Sequence, residues 1–144
     1  MPSSEPPVSR VYQRRPRRIL LVDDDPSVIR GLSRVLRQHR PEFHVNTASN
    51  ATQAIEALYE HEYDLVLTDW HMPGGGGRVV LDALALRYPE TGRVVHSSQI
   101  EPGDTLQRHC AHVVLAKPAS ESEILAALDT ALRRAALEPV RRAS

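Results

Sequence analysis

Short apolar runs in this 144-residue chain repeatedly end on residues that could do chemistry. Ile19-Leu20-Leu21-Val22 stops at Asp23, Asp24 and Asp25, and Leu65-Val66-Leu67-Thr68 stops at Asp69. Val94-Val95-His96 stops at Ser97, and Val113-Val114-Leu115-Ala116 stops at Lys117. If these runs are neighbouring parallel strands, the carboxylates, a hydroxyl and an ammonium meet beyond the strands' carboxyl ends, where doubly wound sheets bind ligands. Crowded carboxylates raise one another's pKa unless a cation joins them. A hard divalent ion with oxygen ligands, Mg2+ being the usual one, relieves that repulsion and keeps positions for water and a phosphoryl oxygen. Lys117 is the single lysine among 18 basic residues. A compact ammonium, where arginine otherwise carries the positive charge, points to a specific oxygen partner at that strand end.

The residues between supply the elements that would position this cluster. Strands are expected at 19–22, 43–47, 64–68, 93–96 and 112–116, each followed by a helical pattern. Five such units predict an α/β fold, a flavodoxin-like doubly wound five-stranded parallel sheet of order 2-1-3-4-5 with five helices. Asp25-Pro26 reads as a cap followed by a first-turn proline, and Val28, Ile29, Leu32, Val35 and Leu36 make one apolar stripe. Asn50 with Gln53, and Ser120 with Glu123, have capping-box spacing. Phe43-His44-Val45-Asn46-Thr47 alternates apolar and polar, which places the second strand at an edge. Residues 98–111 contain Pro102-Gly103 and little periodicity, so the fourth helix should be short or irregular. The ordered domain is expected over 18–135, between a disordered basic arm (1–17) and a short tail (136–144).

The motifs Ile19 to Pro26, Leu65-Val66-Leu67-Thr68-Asp69-Trp70-His71-Met72-Pro73, Val94-Val95-His96-Ser97-Ser98 and Ala116-Lys117-Pro118 resemble the receiver domain of two-component response regulators, of the single-domain chemotaxis type. The resemblance covers about residues 18 to 134. It implies that Asp69 is the phosphoacceptor, Asp24 a direct Mg2+ ligand together with Asp69 and the His71 backbone carbonyl, and Asp23 a ligand through water. It also implies that Ser97 bonds a phosphoryl oxygen, that Lys117 pairs with the phosphoryl or Asp69, and that Lys117-Pro118 is cis. The implied partners are a sensor histidine kinase or phosphotransfer protein and an unknown downstream protein. Three departures stand out: Val114 occupies a position that is aromatic in many receivers, Gly76 lacks the small polar side chain common there, and the Ser97-to-Lys117 span is short.

Other readings compete. A haloacid-dehalogenase-type phosphatase would use Asp23 and Asp25 as nucleophile and acid/base, but needs a further acidic pair at a strand end. Beyond Lys117 the only acids are Glu121, Glu123, Asp129 and Glu138, on or after a helix. A receiver-fold adaptor with vestigial phosphorylation is a third possibility. Gly74 to Gly77 lacks the Gly-Lys-Ser/Thr of a nucleotide loop. His71 could influence the water that hydrolyses a phosphoryl group, whereas His109, Cys110 and His112 straddle a loop and a strand and make a poor metal site. One cysteine excludes an internal disulfide framework, and no apolar run approaches the ~20 residues that span a bilayer. Arg14 to Arg18 precede an apolar run cut off at once by Asp23, so no export signal is expected and the protein is expected to be cytoplasmic. The zero formal charge is a cancellation: residues 1–18 carry +4, residues 19–132 carry −7 and residues 133–144 carry +3. An acidic core disfavours direct DNA binding.

Overall fold

The computed structural model describes residues 16–99 and 111–137. Strand and helix alternate within them as β1 (Arg18–Val22), α1 (Pro26–His39), β2 (His44–Ala48), α2 (Ala51–Glu60), β3 (Leu65–Thr68), α3 (Gly76–Arg87), β4 (Gly92–Ser97), β5 (Val113–Ala116) and α4 (Glu121–Leu137). All strand pairs are parallel and the order is β2-β1-β3-β4-β5, the flavodoxin-like sheet that was expected. The further helix expected between β4 and β5 falls largely on residues 100–110, outside the described residues, as do His109 and Cys110. The expected basic arm and C-terminal tail also lie largely outside them, although α4 continues to Leu137, past the boundary expected at 135. Among the described residues no helix is long and apolar enough to cross a membrane.

Strand pleating divides the core into two layers. Ile19, Leu21, Leu65, Leu67 and Val94 pack with Leu32 and Leu36 of α1 and with Ile124, Ala127 and Leu128 of α4. The alternate residues Leu20, Val22, Val66 and Val95 pack with Ala54 and Leu58 of α2 and with Val80, Leu81 and Leu84 of α3. Helices on both faces explain the apolar runs of the central strands β1 and β3, while β2 at the edge carries His44, Asn46 and Thr47 and is mostly exposed or half-buried. Arg93 on β4 is fully buried and donates to the carbonyls of Tyr88 at 2.9 Å and Leu84 at 3.3 Å. It adds a second donor to carbonyls that already accept from the Tyr88 and Thr91 backbone N–H groups, and so ties β4 to the end of α3.

The helix starts explain the placement of the loops above the sheet. Asp25 accepts from the Ser27 backbone N–H at 2.9 Å and from its hydroxyl at 2.7 Å, capping α1. Asn50 accepts from the Gln53 N–H at 2.8 Å, but Gln53 reaches back to Ser49 at 2.8 Å, so this box is shifted by one residue. The Ser120 and Glu123 box closes in both directions, at 2.8 and 3.1 Å. By contrast, α3 has no side-chain cap: Gly75 at its N-cap has φ 100° and Gly76 has φ 64°. A Cβ on Gly76 would stand 2.4 Å from the Trp70 carbonyl oxygen, which excludes the usual small polar side chain from this loop geometry.

Candidate functional site

Ladder hydrogen bonds continue one residue past the strands and carry the polar residues into register. The Asp23 N–H donates to Ala48 O at 3.1 Å, Asp69 N–H to Val22 O at 2.9 Å, and Lys117 N–H to Ser97 O at 3.0 Å. Leu21 and Leu67 face the α1/α4 layer, so Asp23 and Asp69, each two residues later, lie on that same side. Lys117 reaches them from β5, its Nζ 2.7 Å from Asp23 Oδ2 and 3.1 Å from Asp69 Oδ2. Asp24 is exposed at the rim, and carboxylate oxygens of Asp23, Asp24 and Asp69 lie within 4.8 Å of one another. Among the described residues this is the one cluster of side chains able to hold a metal ion.

Burial dominates the electrostatics of Asp23, whose side chain is 1% exposed. It raises the carboxyl above its ordinary pKa with help from the Asp69 charge, and the Lys117 and Asp25 hydrogen bonds do not fully offset it. Burial pulls on Lys117 in the opposite sense, toward a lower pKa. Hydrogen bonds and charge from the two aspartates outweigh that pull and raise it, so the ammonium stays charged at neutral pH. This arrangement fits a crevice poised for a divalent cation, with three carboxylates and one compensating ammonium.

The other residues singled out from the sequence separate into those held near this cluster and those engaged elsewhere. The Ser97 hydroxyl, fully buried at the end of β4, accepts from the Gln99 N–H at 3.3 Å. The His71 N–H lies 3.3 Å from Asp69 Oδ1, while its ring Nε2 is 3.1 Å from the Gln99 carbonyl, bridging the loops after β3 and β4. Asp25 turns away to its helix cap. His112 uses Nδ1 to accept from the Arg93 N–H at 3.1 Å, so it faces the body of the sheet. Gly77 lets the loop close over the cluster, since a Cβ there would stand 2.4 Å from the Asp69 carbonyl oxygen. Sequence reasoning overlooked His96, a buried ring one residue before Ser97, because it sits inside an apolar run and reads as a strand residue.

The family model for the response regulator receiver domain matches residues 19–129, taking in all five strands except Arg18 at the start of β1, and every residue of this cluster. The chain belongs to that family. The receiver is similar to the signal receiver domain of an HD domain-containing protein from Pseudomonas fluorescens Pf-5, with a TM-score of 0.75 and 30% identity over 87% of this chain and 100% of that one. A CheY-like receiver from Methanospirillum hungatei JF-1 shares the fold at TM-score 0.78 and 19% identity, covering 85% of this chain and 98% of that one. Response regulator TrrA from Thermotoga maritima, solved in complex with Mg(2+)-BeF, aligns at TM-score 0.73 and 23% identity over 80% and 98% of the two chains. Among curated relatives, the two-component response regulator ARR10 of Arabidopsis thaliana is 32% identical over 111 residues, 74% of this chain. ORR24 of Oryza sativa subsp. indica is 38% identical over 71 residues, 48% of this chain. This receiver covers only 20% and 11% of those two proteins.

Proposed function

We propose that this receiver accepts a phosphoryl group on Asp69 from a sensor histidine kinase or phosphotransfer protein, with Mg2+, and signals by contact with a downstream protein. The observation that carries this reading is the pairing of Lys117 with both Asp23 and Asp69, beside the rim carboxylate of Asp24. A carboxylate oxygen of Asp69 attacks phosphorus, the bond from phosphorus to the donor imidazole breaks, and the imidazole takes up a proton as it leaves. The product is an acyl phosphate, a covalent intermediate that water later hydrolyses. Lys117 lies within reach of the charge that develops on the transferring oxygens. Contact with a phosphoryl oxygen would use the Ser97 O–H as donor, which the bond accepted from the Gln99 N–H does not occupy.

The carboxylates also fit the metal. Two oxygens bound at ~2.1 Å to one Mg2+ lie no more than ~4.2 Å apart, so a 4.8 Å cluster needs only a small closure. Asp24 and Asp69 would hold the ion directly with the His71 carbonyl, and Asp23 through water; the ion supplies charge neutralisation at the phosphoryl oxygens. No substrate beyond its own aspartate is turned over, so this is a signalling domain rather than an enzyme. The acidic core points to protein partners rather than to DNA, and the reading implies a cytoplasmic protein. The rival phosphatase would need Asp25 at the reacting centre, where the helix cap does not place it.

The test is incubation with acetyl phosphate and Mg2+ followed by intact mass. Wild type is expected to gain one phosphoryl group and Asp69→Asn none. Equal labelling of the two proteins, or no labelling of wild type, overturns the assignment; phosphatase turnover lost in Asp23→Asn supports the rival enzyme instead.

A further inference from the structure

His96 stands in the row of side chains that forms the site, although no receiver motif quoted above assigns it a role. Val94, two residues before it on β4, is paired with Leu67 and faces the α1/α4 layer. Side chains alternate along a strand, so His96 shares that face and lies level with Asp69, which stands two residues beyond Leu67. Lys117 extends from β5 to carboxylates at the ends of β1 and β3, and β4 lies between β3 and β5. The lysine stem therefore crosses the end of β4 on this face, where His96 is the side chain that β4 contributes.

The ring is 5% exposed, and both Nδ1 and Nε2 are buried without a hydrogen-bond partner among the described residues. A neutral imidazole always carries one N–H donor and one lone pair. Burying them unused is unfavourable, and an apolar residue would fill the space without that cost. Burial, reinforced by the charge of Lys117 and opposed by that of Asp69, holds the ring pKa down at about 4, so it is a neutral donor at neutral pH.

We propose that His96 donates a hydrogen bond to the phosphoryl group on Asp69, a contact made only in the phosphorylated state. The proposal rests on the reading of Asp69 as phosphoacceptor. In the unphosphorylated protein Lys117 holds a carboxylate oxygen of Asp23 and one of Asp69, and the imidazole has no acceptor among the described residues. A phosphoryl group adds strongly accepting oxygens to the row in which His96 stands. The bond then formed is charge-assisted, and a neutral donor brings it without placing a second cation under Lys117. An interaction available in one state and absent from the other biases the equilibrium toward the state that has it.

Beryllofluoride with Mg2+, a mimic of the phosphoryl group, provides the test on the full chain. Long-range proton–nitrogen NMR of the imidazoles should show the His96 ring nitrogens shifting on addition, with one N–H becoming protected from exchange. Affinity for beryllofluoride should weaken roughly ten- to a hundredfold in His96→Leu, the range expected for a hydrogen bond to a charged group, and recover in part in His96→Gln. If wild type neither binds beryllofluoride nor is labelled by acetyl phosphate, the phosphoacceptor reading itself has failed. If wild type binds while its His96 resonances stay fixed, the His96 contact alone is refuted, even should His96→Leu fold too poorly to assay. Equal affinity in a folded His96→Leu refutes it as well.

Discussion

Lys117 and His96 are two basic side chains in one layer that the same surroundings hold in opposite protonation states. Lys117 gains two carboxylate partners and keeps its proton, whereas His96 gains burial and a cationic neighbour and loses it. The histidine has a consequence for stability. Its folded pKa of about 4 lies below the ordinary 6.5, so between those values the unfolded chain binds a proton that the folded chain refuses. The stability it supports is complete above about 6.5, falls as pH drops, and levels off below about 4, a loss of roughly 3 kcal/mol. Urea denaturation of wild type and His96→Leu from pH 7.5 to 4.5 should show this extra slope in wild type alone, because the acid-sensitive carboxylates are common to both. Parallel pH profiles would contradict a neutral, buried His96. At this scale the sequence displayed Asp23, Asp24, Asp69 and Lys117 plainly, since a polar residue that stops an apolar run marks a strand end. It concealed His96, because one ring among valines has the same pattern whether or not its nitrogens are bonded.

Helices α1 and α3 begin above the same crevice but are fixed by different means. A side chain closes the start of α1, and close backbone approach shapes the start of α3. Asp25→Ala removes the cap bonds to Ser27 and should lower the denaturation midpoint, as N-cap truncations generally do. Gly77→Ala puts a methyl group 2.4 Å from the Asp69 carbonyl oxygen and 3.0 Å from Trp70 Cα, both backbone atoms. The loop must move, so this variant should lose more stability than Asp25→Ala and accept phosphoryl from acetyl phosphate more slowly; a loss no larger than that of Asp25→Ala would show that the loop yields easily. Element type and order were legible because burial on both faces leaves continuous apolar strands and amphipathic helices leave a stripe. The glycine loop was not legible in the same way. Gly74 to Gly77 are identical in sequence, and only the path of the chain distinguishes Gly74, which faces open space, from Gly76 and Gly77, which approach the backbone of Asp69 and Trp70 just after β3. Arg93 was hidden for a similar reason: charge alone suggests a solvated residue, yet its bonds to the end of α3 make it part of the core.

Across the whole molecule, with an acidic centre between basic ends, the proposed metal binding would be linked to folding free energy. The −7 of residues 19–132 includes carboxylates held together at the carboxyl ends of the central strands, so the folded state concentrates repulsion that the extended chain disperses. A cation bound only by the folded state offsets it, by about 2.7 kcal/mol at a hundredfold excess over Kd. Thermal melts should therefore rise when Mg2+ is added to EDTA-treated wild type and fall again on chelation. Asp24→Asn should lose most of that response, because on the proposed reading it removes a direct carboxylate ligand. Asp25→Asn should keep it, since asparagine caps a helix as well as aspartate does and Asp25 faces Ser27. Asp69→Asn should melt higher than wild type without metal, having one fewer charge in the cluster, and gain less from Mg2+. If Asp24→Asn and Asp25→Asn respond alike, the rise reflects general screening of an acidic domain. If they differ, the ion is read by the strand-end carboxylates, and the stability of the fold is tied to the ion proposed to accompany phosphoryl transfer to Asp69.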